Sequence, residues 1–302
     1  MKQLVILSGK GGTGKTTVAA SFIRLAGQRK AFADCDVDAP NLHLSLAADG
    51  LQVNEPYYGY QKASLDRSLC QECGRCEQYC RFGAIREYTV NELFCEGCGV
   101  CEIVCPARDA TGRPAIRLQD YITGWTGVAR TEHGLFSTGR LKMGNGASGK
   151  LVTTVRGNLK EKITAEELVI IDGSPGTGCP VMASVTGTDF ALLVTEPTLS
   201  GLHDLSRIIP LVRRFTPHCA VCINRCDQSR RLAERIEEYC TKEKVPVLGL
   251  IPFDPAVVSA VNSGRTAVEL PGSPAGLAIR TVWQRLQPLL FGEEKVKKEK
   301  EK

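Results

Sequence analysis

The 302 residues describe an α/β protein, doubly wound around a mostly parallel sheet. Short apolar runs alternate along the chain with amphipathic stretches. Most of the runs are continuously apolar, as strands covered on both faces require. A glycine-rich loop follows the first run and opens straight into the first amphipathic stretch, the order of a phosphate-binding strand–loop–helix unit.

The first strand is Gln3–Leu7, and the first helix is Lys15–Gly27, with Val18, Ala19, Ala20 and Phe22 on its apolar face. The second strand is Ala31–Asp34. Regularity then breaks between Val53 and Ser148. Within that stretch Asp66–Ile116 carries eight cysteines at tight spacing. Leu118–Ser148 is glycine-rich without helical periodicity and reads as strands and turns. The α/β alternation resumes with a helix at Gly149–Ile163 and strands at Leu168–Asp172 and Phe190–Thr195. A helix at Leu199–Phe215, a strand at Ala220–Asn224 and a helix at Arg230–Glu243 follow. The last strand is Val247–Ile251, and an amphipathic helix, Ala275–Leu289, closes the sheet. These boundaries place a discontinuous domain at 1–60 and 118–290, an insert at 61–117 and a charged tail at 291–302.

Composition narrows the function. Hydrophobic residues make up 43% and charged residues 24%, as in ordinary globular proteins. Part of the +5 net charge lies in the tail EEKVKKEKEK, which mixes both signs and reads as solvated and disordered. No basic stripe is interleaved with aromatics, so nucleic acid is not an expected partner. No apolar run approaches the ~20 residues that span a bilayer. The start MKQLVILSGK lacks the features of a signal peptide, so a cytoplasmic protein without stable membrane association is expected. There thiols stay reduced, and fourteen cysteines point to metal rather than disulfides.

The loop reads Gly9-Lys10-Gly11-Gly12-Thr13-Gly14-Lys15-Thr16-Thr17, a complete P-loop pattern in its proper context. Its glycines let the backbone turn N–H groups onto phosphate oxygens, and the helix N-terminus adds its positive dipole end. Lys15 is expected on the β- and γ-phosphates, and the Thr16 hydroxyl on Mg²⁺.

The cysteines form a duplication: Cys70, Cys73, Cys76 and Cys80, then Cys95, Cys98, Cys101 and Cys105, each with two, two and three intervening residues. This is the spacing of bacterial two-cluster ferredoxins, in which the fourth cysteine of each run ligates the other cluster. The resemblance implies one [4Fe–4S] cluster on Cys70, Cys73, Cys76 and Cys105, and another on Cys95, Cys98, Cys101 and Cys80. Arg81 stands where the first run usually has proline. Paired Cys-x2-Cys units also bind zinc, and this is the competing reading. The remaining cysteines read as core, apart from Cys179, which follows Ser174-Pro-Gly-Thr-Gly and is a further metal candidate. His43, His133, His203 and His218 are dispersed and have no ligand partners at fixed spacing.

Lys10, directly after the first loop glycine, resembles the deviant Walker A motif of the MinD/ParA family, which includes the nitrogenase iron protein. The resemblance implies that Lys10 reaches a partner's nucleotide across an ATP-dependent homodimer. It implies that Asp36, in Phe32-Ala-Asp-Cys-Asp-Val-Asp, orients the attacking water and supports Mg²⁺, with Asp34 and Asp38 as secondary candidates. It implies that Asp172 is the second Mg²⁺ aspartate and that the Gly176 N–H senses the γ-phosphate. Asn224, Pro252 and Asp254 fall where the family holds adenine. Ordinary strand-end turn chemistry is the alternative for these three.

The whole chain is therefore similar to MinD-superfamily P-loop ATPases that carry an inserted ferredoxin domain. The expected function is ATP hydrolysis coupled to electron transfer with an undetermined redox or metalloprotein partner. One alternative is an assembly factor for iron–sulfur or other metal cofactors of the Mrp type, although only Cys226 stands where those carriers have a late Cys-x-x-Cys. Another is a positioning ATPase with sensory clusters. A cobyrinic-acid-synthase type of amidoligase has no recognisable substrate loops in this chain.

Overall fold

The structure is a computed structural model that describes residues 1–27, 29–48, 52–144, 146, 148–216 and 218–292. Of the tail expected at 291–302, Phe291 instead ends the last helix and packs against the core, and residues 293–302 lie outside the described residues. The elements begin with β1 (Lys2–Ser8), α1 (Lys15–Leu25), β2 (Lys30–Asp34), α2 (Leu42–Ser45) and β3 (Glu55–Leu65). Then come α3 (Arg75–Gln78), β4 (Ile85–Arg86), β5 (Thr89–Val90), α4 (Val100–Val104), β6 (Ile116–Thr131) and β7 (Gly134–Leu141). The chain continues with α5 (Ser148–Lys162), β8 (Leu168–Pro175), α6 (Cys179–Val185), β9 (Phe190–Thr195) and α7 (Leu199–Val212). It ends with β10 (Cys219–Asn224), α8 (Arg230–Lys242), β11 (Val247–Ile251), α9 (Ala256–Asn262) and α10 (Pro274–Phe291).

Two compact units divide the chain. The first comprises Met1–Asn54, Thr126–Arg140 and Ser148–Lys302. Its strands run in the order β11-β10-β9-β1-β8-β2-β7, followed by the end of β6. β1 pairs in parallel with both β8 and β9, and β2 with β8 and β7. Leu4–Leu7 are fully buried, which is why this run is apolar without alternation. α1 and α10 cover one face, where Phe22 meets Trp283 with ring centroids 4.8 Å apart. Phe32 and Phe136 stack at 4.6 Å and join β2 to β7. The chain leaves β1 through α1 and returns at β2, beyond β8. The carboxyl ends of β1, β8 and β9 thus form a topological switch point, where α/β sheets bind ligands. Among the described residues no helix is long and apolar enough to cross a membrane, and α10 packs on the core.

The second unit comprises Glu55–Trp125 and Leu141–Ala147. The 61–117 boundaries drawn from cysteine spacing enclose the cysteine-bearing part of this unit; β3 and the first part of β6 extend it on either side. β3 lies beside β6, and β4 and β5 form a small antiparallel pair. α3 and α4 are one-turn helices, each opened by a left-handed glycine, Gly74 (φ 70°) and Gly99 (φ 78°). The core of this unit is small: Ala63, Cys76, Ile85, Cys101 and Ile116, with Cys80, Cys95 and Cys105 packed against it.

Candidate functional site

Backbone geometry builds the phosphate loop. β1 stops at Ser8, and Gly14 caps α1 at φ 87°, a conformation that disfavours side chains. A Cβ at Gly14 would also stand 2.3 Å from Asn224 Nδ2. No side chain caps α1, and its first turn holds no acidic residue. Its leading N–H groups are therefore left for an anion.

Lys15 is buried, with Nζ 2.6 Å from Asp172 Oδ1 and 3.7 Å from Asp36 Oδ2. Thr16 Oγ1 donates to the other Asp172 oxygen at 2.7 Å. One carboxylate from the end of β8 thus engages both P-loop side chains. Burial pulls the Lys15 ammonium down, but Asp172, Asp36 and Asp34 outweigh it and lift it above its ordinary value. Burial raises the Asp36 carboxyl; Lys15 opposes that, and Asp172 and Asp38 add to it. The hydroxyl of Thr16 and the carboxylates of Asp36 and Asp172 form a hard oxygen donor set, the chemistry that suits Mg²⁺.

Asp34 has a different task. It is fully buried and accepts N–H bonds from Asp36 (3.1 Å), Asn41 (3.0 Å) and Leu42 (3.0 Å), which shape the 36–42 loop. Burial and the Asp172 charge push its pKa up to about 7. Three further bonds tie the 172–176 segment down: Cys35 N–H to the Asp172 carbonyl at 2.8 Å, Ser174 Oγ to the Cys35 carbonyl, and Gly176 N–H to the Ser8 carbonyl at 2.9 Å. The Gly176 N–H is engaged at the root of the P-loop, so sensing a phosphate requires that bond to break.

Beside the loop lies a cavity of about 230 Å³, walled by Gly14, Thr17, Asn224, Pro252 and Phe253. Asn224 Nδ2 donates to the Thr13 carbonyl at 2.8 Å, which leaves its Oδ1 for a base. The Asp254 carboxylate accepts from Ala256 N–H and Ser273 Oγ and so holds α9 and α10 in place. The opposite wall is Val257, Val258 and Val261 of α9, which sequence reasoning missed. The available signal was the apolar stretch directly after Pro252-Phe-Asp-Pro.

Sequence reasoning also missed Glu196. Its nearly buried carboxylate sits 3.4 Å from Lys10 Nζ and pairs with Arg225 on its other oxygen. Ser200 Oγ adds a contact to Lys10 at 3.2 Å. Lys10 is thus anchored within its own chain.

In the second unit the Cys76 thiol is pushed up by burial, and the nearby thiols of Cys70, Cys73 and Cys105 add to the push. Cys105, of the second run, packs against the same small core as Cys76 of the first. Burial together with Cys95 and Cys98 raises the Cys101 thiol to about 11. Backbone N–H groups point at sulfur: Ala63 to Cys95 Sγ at 3.3 Å and Glu72 to Cys70 Sγ at 3.4 Å. Gly97 sits at φ 63°, and a Cβ there would stand 2.2 Å from the Gln61 carbonyl. All fourteen cysteines are free thiols. Among the described residues no three His, Cys, Asp or Glu are gathered tightly enough for a single metal ion. A thiol-only donor set supported by N–H donors is chemically suited to iron–sulfur ligation. Cys179 is exposed at the start of α6, four residues after β8 ends at Pro175, and Cys226 is half-buried.

The family model for the CobQ/CobB/MinD/ParA nucleotide binding domain matches residues 4–267. An uncharacterised protein of Methanocaldococcus jannaschii is 34% identical over 74% of this chain and 78% of its own length. The cytosolic Fe-S cluster assembly factor NUBP2 of Homo sapiens is 24% identical over 94% of this chain and 91% of its own. Among solved structures, the septum site-determining protein MinD of Pyrococcus horikoshii, complexed with Mg-ADP, shares the fold. Its TM-score is 0.60, with 21% identity over 95% of this chain and 96% of that one.

Proposed function

The chain belongs to the CobQ/CobB/MinD/ParA nucleotide-binding family, as a MinD/ParA-type nucleotide-binding ATPase, and from that premise we propose a cytoplasmic, homodimeric, ATP-hydrolysing iron–sulfur protein that couples nucleotide state to electron transfer. The ATPase is built by residues 1–60 and 118–290 and interrupted by a ferredoxin-like insert at 61–117. Supporting the nucleotide half is the Lys15–Asp172–Thr16 constellation at the switch point.

The N–H groups of the P-loop and of the first turn of α1 bind the phosphates. Lys15 exchanges Asp172 for the β- and γ-phosphate oxygens, and Asp172, Thr16 and Asp36 would then hold Mg²⁺, which would neutralise phosphate charge. Asp36 orients water on the γ-phosphate. Asn224 and the Pro252–Asp254 backbone hold the base. Lys10 leaves Glu196 to reach the partner's nucleotide. Gly176 N–H leaves Ser8 for the γ-phosphate, and Asp172 and Ser174, both bonded to the Cys35 backbone, carry that movement toward the end of β2.

The observation that supports the iron–sulfur half is Cys105, of the second run, packed against the same small core as Cys76 of the first. Cys70, Cys73, Cys76 and Cys105 would hold one [4Fe–4S] cluster, and Cys95, Cys98, Cys101 and Cys80 the other. When bound, the clusters supply one-electron redox chemistry. The second reading, an assembly factor, is favoured by the similarity to NUBP2. Cys179 is the residue on which a transferable metal would depend in that case.

The test is an anaerobic redox titration followed by EPR, with and without MgATP, using Lys15→Ala as the nucleotide-blind control. A shift of potential or line shape with MgATP, absent in the control, is the expected result. Signals indifferent to nucleotide would remove the coupling, and an iron signal lost on Cys179→Ser would turn the reading toward assembly.

A further inference from the structure

The two cysteine runs match in spacing but differ in charge. Residues 66–86 carry Arg67, Arg75, Arg81 and Arg86 against Asp66, Glu72 and Glu77. Residues 87–107 carry Glu87, Glu92, Glu96 and Glu102 and no lysine, arginine or histidine. Large apolar side chains stand out on this acidic stretch: Leu93 is 65% exposed, Phe94 58% and Ile103 78%. Each lies within two residues of a cysteine of the second run.

These side chains are held outward by ordered backbone. The Asn91 carbonyl accepts from Phe94 N–H (3.3 Å) and Cys95 N–H (3.1 Å), and Asn91 Oδ1 accepts from Leu93 N–H at 2.9 Å. That turn fixes Leu93 and Phe94 on the surface while Cys95 packs inward. On α4, Val100 and Ile103 are three apart and share the exposed face, while Cys101 is buried. Glu102 is committed to Leu118 N–H at 2.6 Å. Glu92 and Glu96 are exposed, and no ion pair among the described residues engages either. The first run presents a cation at Arg81, which lies over the exposed Phe82 ring at 5.8 Å, whereas Arg67 lies over Tyr88 at 6.0 Å and donates to the Glu87 carbonyl at the start of the second stretch.

We propose that the Glu92–Ile103 face is a docking surface for a basic redox protein, one that presents an apolar patch ringed by lysine or arginine. Apolar contact with Leu93, Phe94, Val100 and Ile103 supplies affinity, and Glu92 and Glu96 supply steering and orientation. The arginines of the first run repel the same partner, so it meets the chain at the second run. The inference rests on the iron–sulfur reading for its purpose, and its binding chemistry stands apart from that reading.

The probe is ferric cytochrome c, a basic protein whose apolar haem edge is ringed by lysines. Affinity for the full-length, anaerobically prepared chain is measured by calorimetry at about 20 mM and about 300 mM NaCl, since the Debye length shrinks severalfold between them. Iron-to-protein ratio is recorded on the same samples. The expected result is a Kd weakened about tenfold by salt, and about fivefold at low salt by Glu92→Gln/Glu96→Gln. Ile103→Ser is expected to weaken it about as much. Glu161→Gln/Glu238→Gln, which removes the same charge from exposed sites on α5 and α8, should leave it unchanged. Should Ile103→Ser change the iron ratio, Phe94→Ser takes its place. Equal weakening by the control pair, or parent-like binding by the Ile103 or Phe94 variant, overturns the proposal. So does a sedimentation result in which these variants abolish self-association, which would assign the face to a second copy of the chain. Face-dependent binding by a chain without iron would keep the surface and sink the iron–sulfur reading.

Discussion

The pair with the largest consequence is Lys15–Asp172. Both are buried, and two further carboxylates, Asp36 and Asp34, crowd the ammonium. Removing the cation leaves those charges uncompensated. Lys15→Ala should therefore lower the stability of the nucleotide-free chain by about 3 kcal/mol, besides abolishing nucleotide binding. Urea unfolding checks this, and Lys15→Ala/Asp172→Asn should recover part of the loss. Glu196 acts in the opposite sense, because it holds Lys10 in its own chain. Glu196→Gln should tighten ATP-dependent dimerisation at least about fivefold, measured by sedimentation; an unchanged dimer constant would show the contact to be idle. His133 sets a pH response. Arg24 donates to its Nδ1 at 3.0 Å, and its Nε2 lies 2.8 Å from the Leu46 carbonyl, so the ring is neutral. Burial holds its pKa below the ordinary value; the Leu46 carbonyl and Glu132 oppose this, and Arg24 and Lys30 reinforce it. The unfolded ring takes up its proton near pH ~6.5, before the folded one does. Stability is thus intact above that pH and falls as pH descends through it. Thermal midpoints between pH ~7.5 and ~5 should slope less in His133→Gln, which keeps a donor for Leu46.

Among elements, α6 matters most, because it follows the end of β8 that carries Asp172. Arg156 of α5 grips its far end, donating to the Ala183 carbonyl at 2.7 Å, the Thr186 carbonyl at 2.6 Å and Gln3 Oε1 at 3.1 Å. A guanidinium on the last carbonyls of a helix also complements its dipole. Gly149 leaves room at the near end, where a Cβ would stand 3.0 Å from that of Cys179. Arg156→Ala should cost about 2 kcal/mol through unsatisfied carbonyls. It should also speed amide exchange across Cys179–Val185 while β1 stays protected. Uniform exchange across the first unit would show that α6 is held by other means. Sequence reading found six of the seven parallel strands to within one residue, except that β8 runs on to Pro175; β7 it gave only within a stretch of strands and turns. It missed α6 and α9, at seven residues each too short for helical periodicity to stand out.

At the scale of the molecule the two units differ in what holds them. The first has a broad sheet with fully buried strands. The second, below ~80 residues, buries a small core in which Cys76 and Cys101 are members. Natural units of that size often carry a covalent or metal staple. On the iron–sulfur reading, anaerobic iron removal should deprotect Glu55–Trp125 in hydrogen exchange and leave nucleotide affinity of the first unit within about twofold. Unchanged protection in the second unit would mean that its core suffices.

Sequence alone determined what is local. Glycines at left-handed turns, the helix opened by Gly14, the continuous apolar strands and the repeated cysteine steps are constraints on neighbouring residues, and a linear pattern records them. Partnerships were decided by tertiary structure. Lys15 and Asp172 are 157 positions apart and meet because β1 lies beside β8. Glu196 gathers Lys10 and Arg225 because β9 ends between β1 and β10. Asp34, one of three carboxylates in five residues, became a support for its own loop because its strand end is closed off from water. Which carboxylate faces a ligand and which holds backbone depends on strand order and burial, and neither is written in local spacing.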